Sequence, residues 1–317
     1  MKEIKGIEIS NILGLEKPLV KLLDVVSLGI GKLYEPMHMK RITNAKVKEI
    51  ELISEAITNN LELPINYNKG SVSIDSNSIN NLIERTGNRL LFQELRKQQN
   101  IESVVEKAYN ELLNEKSISS ESLDEDWIFN FFNFAGDISV DKMQEIWGKI
   151  LVGELKKPNT YSLRTLNTLK NMSQEEAKLF QTLAQFIIKD SRGKPYIFND
   201  LLIRENISYE KLLKLEDCGL LNLNGFNALS CDKGEHLFYT EKIVAIFDEK
   251  TEIYVYNFTE SGKQLLTLFD EKTDFNFILK VFKNLKKKYS TIKVFNIIEK
   301  YEDSIEYDET RDLLNEM

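Results

Sequence analysis

Residues 126–166 constrain the fold more than any other stretch, because they hold both tryptophans of the chain among closely spaced large apolar side chains. Trp127, Phe131 and Phe134 stand at i, i+4 and i+7, so a helix puts all of their rings on one side. A short connection at 136–139 leads to a second helix whose apolar side is Met143, Ile146, Trp147, Ile150 and Leu151. Ser139 is its expected N-cap, with Asp141 at the positive end of the helix dipole. Two such faces bury one another, each large side chain contributing about 1.5–3 kcal/mol. Ser122 and Glu125 have capping-box spacing before the first of these helices. Pro158 ends the second, Ser162 caps a third, and Ser173 with Glu176 opens a fourth that is read through Ile188.

Upstream, residues 15–33 place Leu15, Leu19, Leu22, Leu23, Val26, Ile30 and Leu33 at helical spacings, giving one amphipathic helix. Its lysines and Asp24 interrupt the run of roughly 18 apolar residues that a membrane span needs. Leu19, Leu22, Leu23, Val26 and Ile30 are the candidate contact residues for a partner or a second copy of the chain; packing on its own domain is the simpler alternative. Residues 64–78 read as a loop or linker, and 79–115 as helix, with Leu82, Ile83, Leu90, Leu91, Leu95, Ile101, Val104, Val105, Ala108, Leu112 and Leu113 on the buried side. The polar run 96–100 is read as a break between two helices.

After residue 190 the pattern changes. A helix near 209–215 precedes β-forming stretches at 220–223, 237–239, 243–247 and 253–258, separated by turn residues at Asn224-Gly225, 232–234 and 248–250. Thr259 then caps a further helix. Gly219-Leu220-Leu221 after one helix and Phe258-Thr259-Glu260-Ser261-Gly262 after the hairpin resemble the layout of a winged-helix module. The fold class expected is therefore mainly α: a multi-helix domain, a winged-helix-like α+β module and a helical tail. The expected divisions are 1–63, an N-terminal amphipathic helical region; 79–173, the helical signature domain; 174–270, the winged-helix-like module; and 271–317, a basic helix with an acidic tail.

The chemistry is sparse. His38 and His236 are the only histidines, and neither sits in a motif that nominates it as a catalytic base. Cys218 and Cys231 are too few for a disulfide scaffold and read, with His236, as ordinary side chains rather than a zinc set. Phosphate-binding glycine loops are absent from the sequence. No catalytic residue, metal or cofactor is expected. The start Met1-Lys2-Glu3-Ile4-Lys5-Gly6 lacks a signal-peptide pattern, so a cytoplasmic location is expected.

The net charge of −8 argues against indiscriminate coating of phosphate backbones but leaves room for a local patch. Lys280, Lys283, Lys286, Lys287, Lys288 and Lys293 follow one another with no acid between the first and the last. On a helix packed through Ile278, Val281, Phe282, Leu285 and Tyr289, Lys280, Lys283 and Lys287 point away from the core, with Lys286 and Lys288 beside them. Beyond them come Glu299, Glu302, Asp303, Glu306, Asp308, Glu309, Asp312 and Glu316. Two readings stay open: a phosphate-binding stripe that the acidic tail covers, or lysines that are solvated or paired with that tail.

Asp126, Trp127, Phe131, Ala135, Ile138-Ser139, Met143-Gln144, Trp147, Ile150-Leu151, Gly153-Glu154, Pro158, Tyr161-Ser162 and Arg164-Thr165-Leu166 resemble a bacterial family catalogued as a domain of unknown function, twenty-eight-oh-six. Arg85, Arg89, Glu94, Arg96 and Gln98-Gln99-Asn100-Ile101-Glu102 look like that family's preceding helix. The resemblance spans about residues 10–185, with Asn159 where the family has glycine. Trp127, Phe131, Trp147 and Arg164 are its signature core. The resemblance implies no activity. The arrangement also looks like that of proteins of phage defence by abortive infection. The expected function is a non-enzymatic interaction or regulatory protein, with a protein partner or homo-oligomer. The alternatives are nucleic-acid binding through the module and the lysines, and a defence nuclease. A membrane surface is not the expected partner.

Overall fold

The computed structural model describes residues 17–30, 76–113, 115, 117–199, 207–223, 228–239, 242–269, 275–288, 292–301 and 305–315, with side chains in the helix 76–112 described from residue 84. Leu15, Leu33, His38, residues 64–75, the Asn224-Gly225 turn and Tyr289 lie outside the described residues. The chain divides into two compact units, 1–159 and 160–317.

The described part of the first unit is helical: α1 (Lys17–Ile30), α2 (Ser76–Leu112), α3 (Glu125–Ala135) and α4 (Asp141–Lys156). α2 runs straight through the polar stretch where a break was expected. Arg, Lys and Gln are good helix formers, and Asn100, the poor one, has its amide donated to the Gly136 carbonyl at 2.7 Å. α2 and α4 approach closely at Gly148, where a Cβ would lie 3.0 Å from that of Lys107 and 3.3 Å from the Val104 carbonyl. Trp127 stacks on Phe131 at 5.1 Å, and Phe131 meets Trp147 at 5.3 Å. Leu22, Leu23 and Val26 of α1 close this core, and the Lys21 ammonium anchors α1 by donating to the carbonyls of Ser119, Glu121 and Leu155. Burial lowers the pKa of that ammonium despite nearby Glu121 and Glu154.

Several local expectations change here. Asp124 caps α3 in place of Ser122, because its carboxylate is the one that reaches the Trp127 amide, at 2.8 Å. Val140 precedes α4 without a side-chain cap, and Ser139 accepts a hydrogen bond from Arg96 at 3.3 Å. Leu90 and Leu113 are exposed rather than buried, since the packed side of α2 is the segment holding Asn100, Val104, Val105, Ala108 and Leu112. Asn159 adopts φ +66°, the left-handed region that glycine and asparagine tolerate, and its amide is held by the buried Glu154 carboxylate.

The second unit is not the small winged-helix module with a helical tail that the pattern suggested. It is a mixed α+β unit built on a nine-stranded antiparallel sheet, so the chain is α+β rather than mainly α. Its helices are α5 (Leu163–Asn171), α6 (Gln174–Leu183), α7 (Tyr209–Asp217), α8 (Glu260–Leu266) and α9 (Phe275–Lys288). Its strands are β1 (Ile187–Asp190), β2 (Pro195–Phe198), β3 (Leu221–Asn222), β4 (Ala228–Cys231), β5 (His236–Tyr239), β6 (Ile243–Phe247), β7 (Thr251–Phe258), β8 (Ile292–Lys300) and β9 (Ile305–Tyr307). They lie in the order β3-β7-β2-β1-β5-β6-β8-β9, with β4 also on β7.

α6 ends at Leu183 and a 3-10 turn leads into β1, so Ile187 and Ile188 are strand, not helix. The β1–β2 hairpin is made by turn chemistry: the Asp190 carboxylate accepts from the Arg192 and Lys194 amides at 3.0 and 2.9 Å, and Gly193 takes φ +76°. The two motifs that suggested a wing interlock instead. The Thr259 hydroxyl donates to the Gly219 carbonyl and accepts from the Gly262 amide, and a Cβ on Gly262 would collide with the Leu220 carbonyl.

The expected helical tail is replaced by β8, β9 and a returning segment. The Leu313 amide donates to the Val294 carbonyl at 2.8 Å. Asp312 is the clamp: one carboxylate oxygen accepts from the Val294 and Leu314 amides, each at 3.1 Å, and the other from Lys286 at 2.9 Å. Burial alone would raise this carboxyl, but Lys286 and the two amides outweigh it and hold it below the ordinary aspartate value.

Gly262→Ala should destabilise the second unit by about 1–3 kcal/mol, since a backbone carbonyl cannot yield. Gly234→Ala meets open space at φ +82° and should cost only the backbone term of about 1–2 kcal/mol. Gly262→Ala should therefore have the lower urea midpoint, and a midpoint above that of Gly234→Ala contradicts the packing. Asp312→Ala should lower stability by about 1–3 kcal/mol at neutral pH. Because the folded pKa lies below the unfolded one, this contribution is present above pH 3.8 and fades as pH falls through the depressed folded value. The denaturation midpoints of wild type and variant should therefore differ at neutral pH and draw together at strongly acidic pH.

Candidate nucleic-acid interface

α9 is seated on the sheet by its apolar side. Ile278, Val281 and Phe282 are fully buried, Phe282 meets Phe198 edge-on at 5.6 Å, and Phe277 lies against Phe186 at 4.6 Å. The seat decides where each lysine goes. Lys280 and Lys287 are exposed and Lys283 is half-buried on the side away from that core. Among the described residues these three side chains have no ion pair or hydrogen bond.

The other lysines of the run are engaged. Lys286 donates to Asp312 at 2.9 Å and to Asn315 at 3.0 Å, so the acidic tail meets the edge of the lysine row. Lys288 stands 5.3 Å over the ring of Tyr254. Lys293 is on β8, not on the helix, and pairs with Asp248 at 2.9 Å, which raises its pKa. It borders a groove of about 460 Å³ floored by Phe295 and Tyr307, whose rings stack at 5.3 Å. α9 itself contains no acid. Its outward side therefore offers, one helical turn apart, ammonium groups that have no partner among the described residues, a chemistry suited to phosphate.

Tyr254 was missed in the sequence, where 253–258 was read only as strand. It is 43% exposed on β7, and the alternation of exposed Glu252 and Tyr254 with buried Ile253 and Val255 is the signal that marks it. An aromatic ring beside a lysine row is the pairing that single-stranded nucleic acids stack against.

The remaining candidates lie elsewhere. Leu19, Leu22, Leu23 and Val26 are buried inside the first unit, chiefly against α3, so they are core and not a surface for a partner; Ile30 is half-buried. Trp127, Phe131 and Trp147 are core residues, and the Trp147 Nε1 is buried without a hydrogen-bond partner. Arg164 is exposed on α5, while its neighbour Thr165 is buried, donates to Gln264 of α8 and lies within hydrogen-bonding distance of the Ser261 hydroxyl. Cys231 is buried and its thiol is pushed up to about 12 by that burial and nearby acids; burial and Glu176 push Cys218 up to about 11. His236 is half-buried between Phe238 and Tyr307, and its pKa is lowered by burial. Among the described residues no group of three His, Cys, Asp or Glu side chains converges as a metal site. No described helix is long and apolar enough to cross a membrane.

No curated protein and no solved structure matches the chain. The stretch from residue 84 to residue 282, which begins within α2 and reaches into α9, matches the family described as Protein of unknown function (DUF2806), and the chain belongs to that family.

Proposed function

We propose that the second unit binds nucleic acid through the outward side of α9, with Lys280, Lys283 and Lys287 as phosphate contacts. The observation that carries this reading is the contrast within one lysine run: Lys286 and Lys293 are paired with Asp312 and Asp248, while these three have no partner among the described residues. A free ammonium that neutralises a phosphate releases condensed counterions, whereas one already paired to a carboxylate must first give up that pair. With about three contacts, log affinity should fall against log salt with a slope near −2 to −3, and binding should be modest, in the range of about 10⁻⁴–10⁻⁶ M typical of sequence-independent contacts. The chain's net charge of −8 opposes an indiscriminate electrostatic coat, so binding has to rest on local basic rows such as this one.

The test is fluorescence anisotropy with labelled oligonucleotides across a salt series. The Lys280→Glu, Lys283→Glu, Lys287→Glu triple variant should lose binding for all sequences alike. Lys293→Gln should change affinity by less than about twofold, because that ammonium is already held by Asp248. No binding at low salt, or binding that survives the triple reversal, refutes the reading.

A further inference from the structure

The first unit presents a different basic row. Arg85, Arg89, Phe92 and Arg96 stand at i, i+4, i+7 and i+11 on α2, which brings them to one side of the helix over about 16 Å. All are exposed, and Phe92 most of all, at 67%. Arg85, Arg89 and Phe92 lie N-terminal to the stretch that packs through Asn100, Val104, Val105, Ala108 and Leu112, while Arg96 reaches Ser139 of the α3–α4 turn at 3.3 Å and keeps its exposure. The row continues along α2 through Gln99 and Ser103, and no carboxylate stands in it. Its basic part ends before Lys107, which is neutralised by Asp141 at 2.7 Å and lies 3.9 Å from Glu145. The other polar residues singled out on this helix are accounted for structurally: Asn100 holds the Gly136 carbonyl, Gln98 donates to Glu102, and Lys97 pairs with Glu94.

From this we infer that α2 carries a contact for single-stranded nucleic acid, in which Phe92 stacks on an unpaired base and the flanking arginines take the phosphates on either side of it. A phenyl ring that is 67% exposed in the middle of a basic row offers a face on which a base can stack. The charge around it selects an anionic cover, and guanidinium groups bind phosphate in a bidentate manner. A duplex offers the phosphates but keeps its bases stacked inside, so only a single strand satisfies the ring and the arginines together. At about 3.4 Å per nucleotide of a stacked strand, the row follows roughly four or five nucleotides. The inference rests on the nucleic-acid reading of the chain and adds the class of nucleic acid it takes.

The full chain is tested by anisotropy with labelled oligo-dT, oligo-U and a duplex of equal length. Wild type should prefer the single strands, and Phe92→Ala should weaken them about fivefold or more while leaving the duplex within twofold. Phe92→Tyr should restore the preference, and Arg89→Glu should weaken every probe and flatten the salt dependence. Phe92→Trp supplies a direct readout. Trp127 and Trp147 are buried, so quenching of the exposed indole by oligo-dT reports stacking at residue 92. Because Phe92 and Arg89 are exposed, unchanged thermal melting is expected for all of these variants. If oligonucleotides bind, the α9 triple reversal weakens them, and neither Phe92→Ala nor the indole responds, this inference falls and the α9 reading stands. If wild type binds no oligonucleotide, both fall. Cosedimentation with anionic phospholipid vesicles, lost in Phe92→Ala and without oligonucleotide binding, would assign the row to a lipid surface and overturn it.

Discussion

β8 pairs with β6 over Ile292 to Asn296 against Phe247 to Ile243, and the disposition of every lysine on α9 depends on that pairing. It draws the C-terminal stretch into the sheet, so that Ile292 and Val294 become buried beside the apolar side of α9. Once Ile278, Val281 and Phe282 are fixed there, the helical repeat puts Lys280, Lys283 and Lys287 on the side away from that core, with Lys280 and Lys287 exposed and Lys283 half-buried. The same pairing positions Val294 to receive the returning segment, which puts Asp312 within reach of Lys286. The acidic tail thereby works as a structural clamp on one edge of the helix.

The first unit is organised by a buried polar clasp that its sequence motif encodes. Gln144 donates to the Ile138 carbonyl at 2.8 Å and accepts from Ser103 at 2.7 Å, while Asn100 holds Gly136. These bonds lock the α3–α4 turn onto α2 with few buried groups left unsatisfied, which gives the aromatic core around Phe131 and Trp147 a single register. Much of the family signature is thus explained by packing and polar satisfaction. Arg89 and Phe92 are what that explanation leaves over.

The legible features were those set by neighbours in sequence. The caps at Ser162 and Thr259 and the capping box of Ser173 with Glu176 are local hydrogen bonds, and the positions of Lys280, Lys283 and Lys287 follow from a local period. The sheet was not legible because its pairings are distant: β1 takes β5 as neighbour nearly fifty residues later, and β6 takes β8 after a similar interval. Short strands such as Ile187–Asp190 carry too few alternations to outweigh the helix that precedes them. Leu90 was misread for a related reason. Its spacing continues the packed side of α2, but it remains half exposed where that packing gives out.

A negative net charge and a local basic row are compatible because the two act over different distances. At physiological ionic strength the screening length is about 8 Å. The carboxylates of the tail and of β9 therefore matter to α9 only where they come close, as Asp312 does at Lys286, and their sum matters little to a phosphate on the far side of the helix. What decides whether a lysine can serve a ligand is its own pairing state. Arginine on α2 and lysine on α9 also differ in kind: the guanidinium fork orients a phosphate beside a stacked base, while the ammonium is an undirected point charge. In the proposed reading, the α2 row discriminates a single strand and the α9 row holds any strand that arrives.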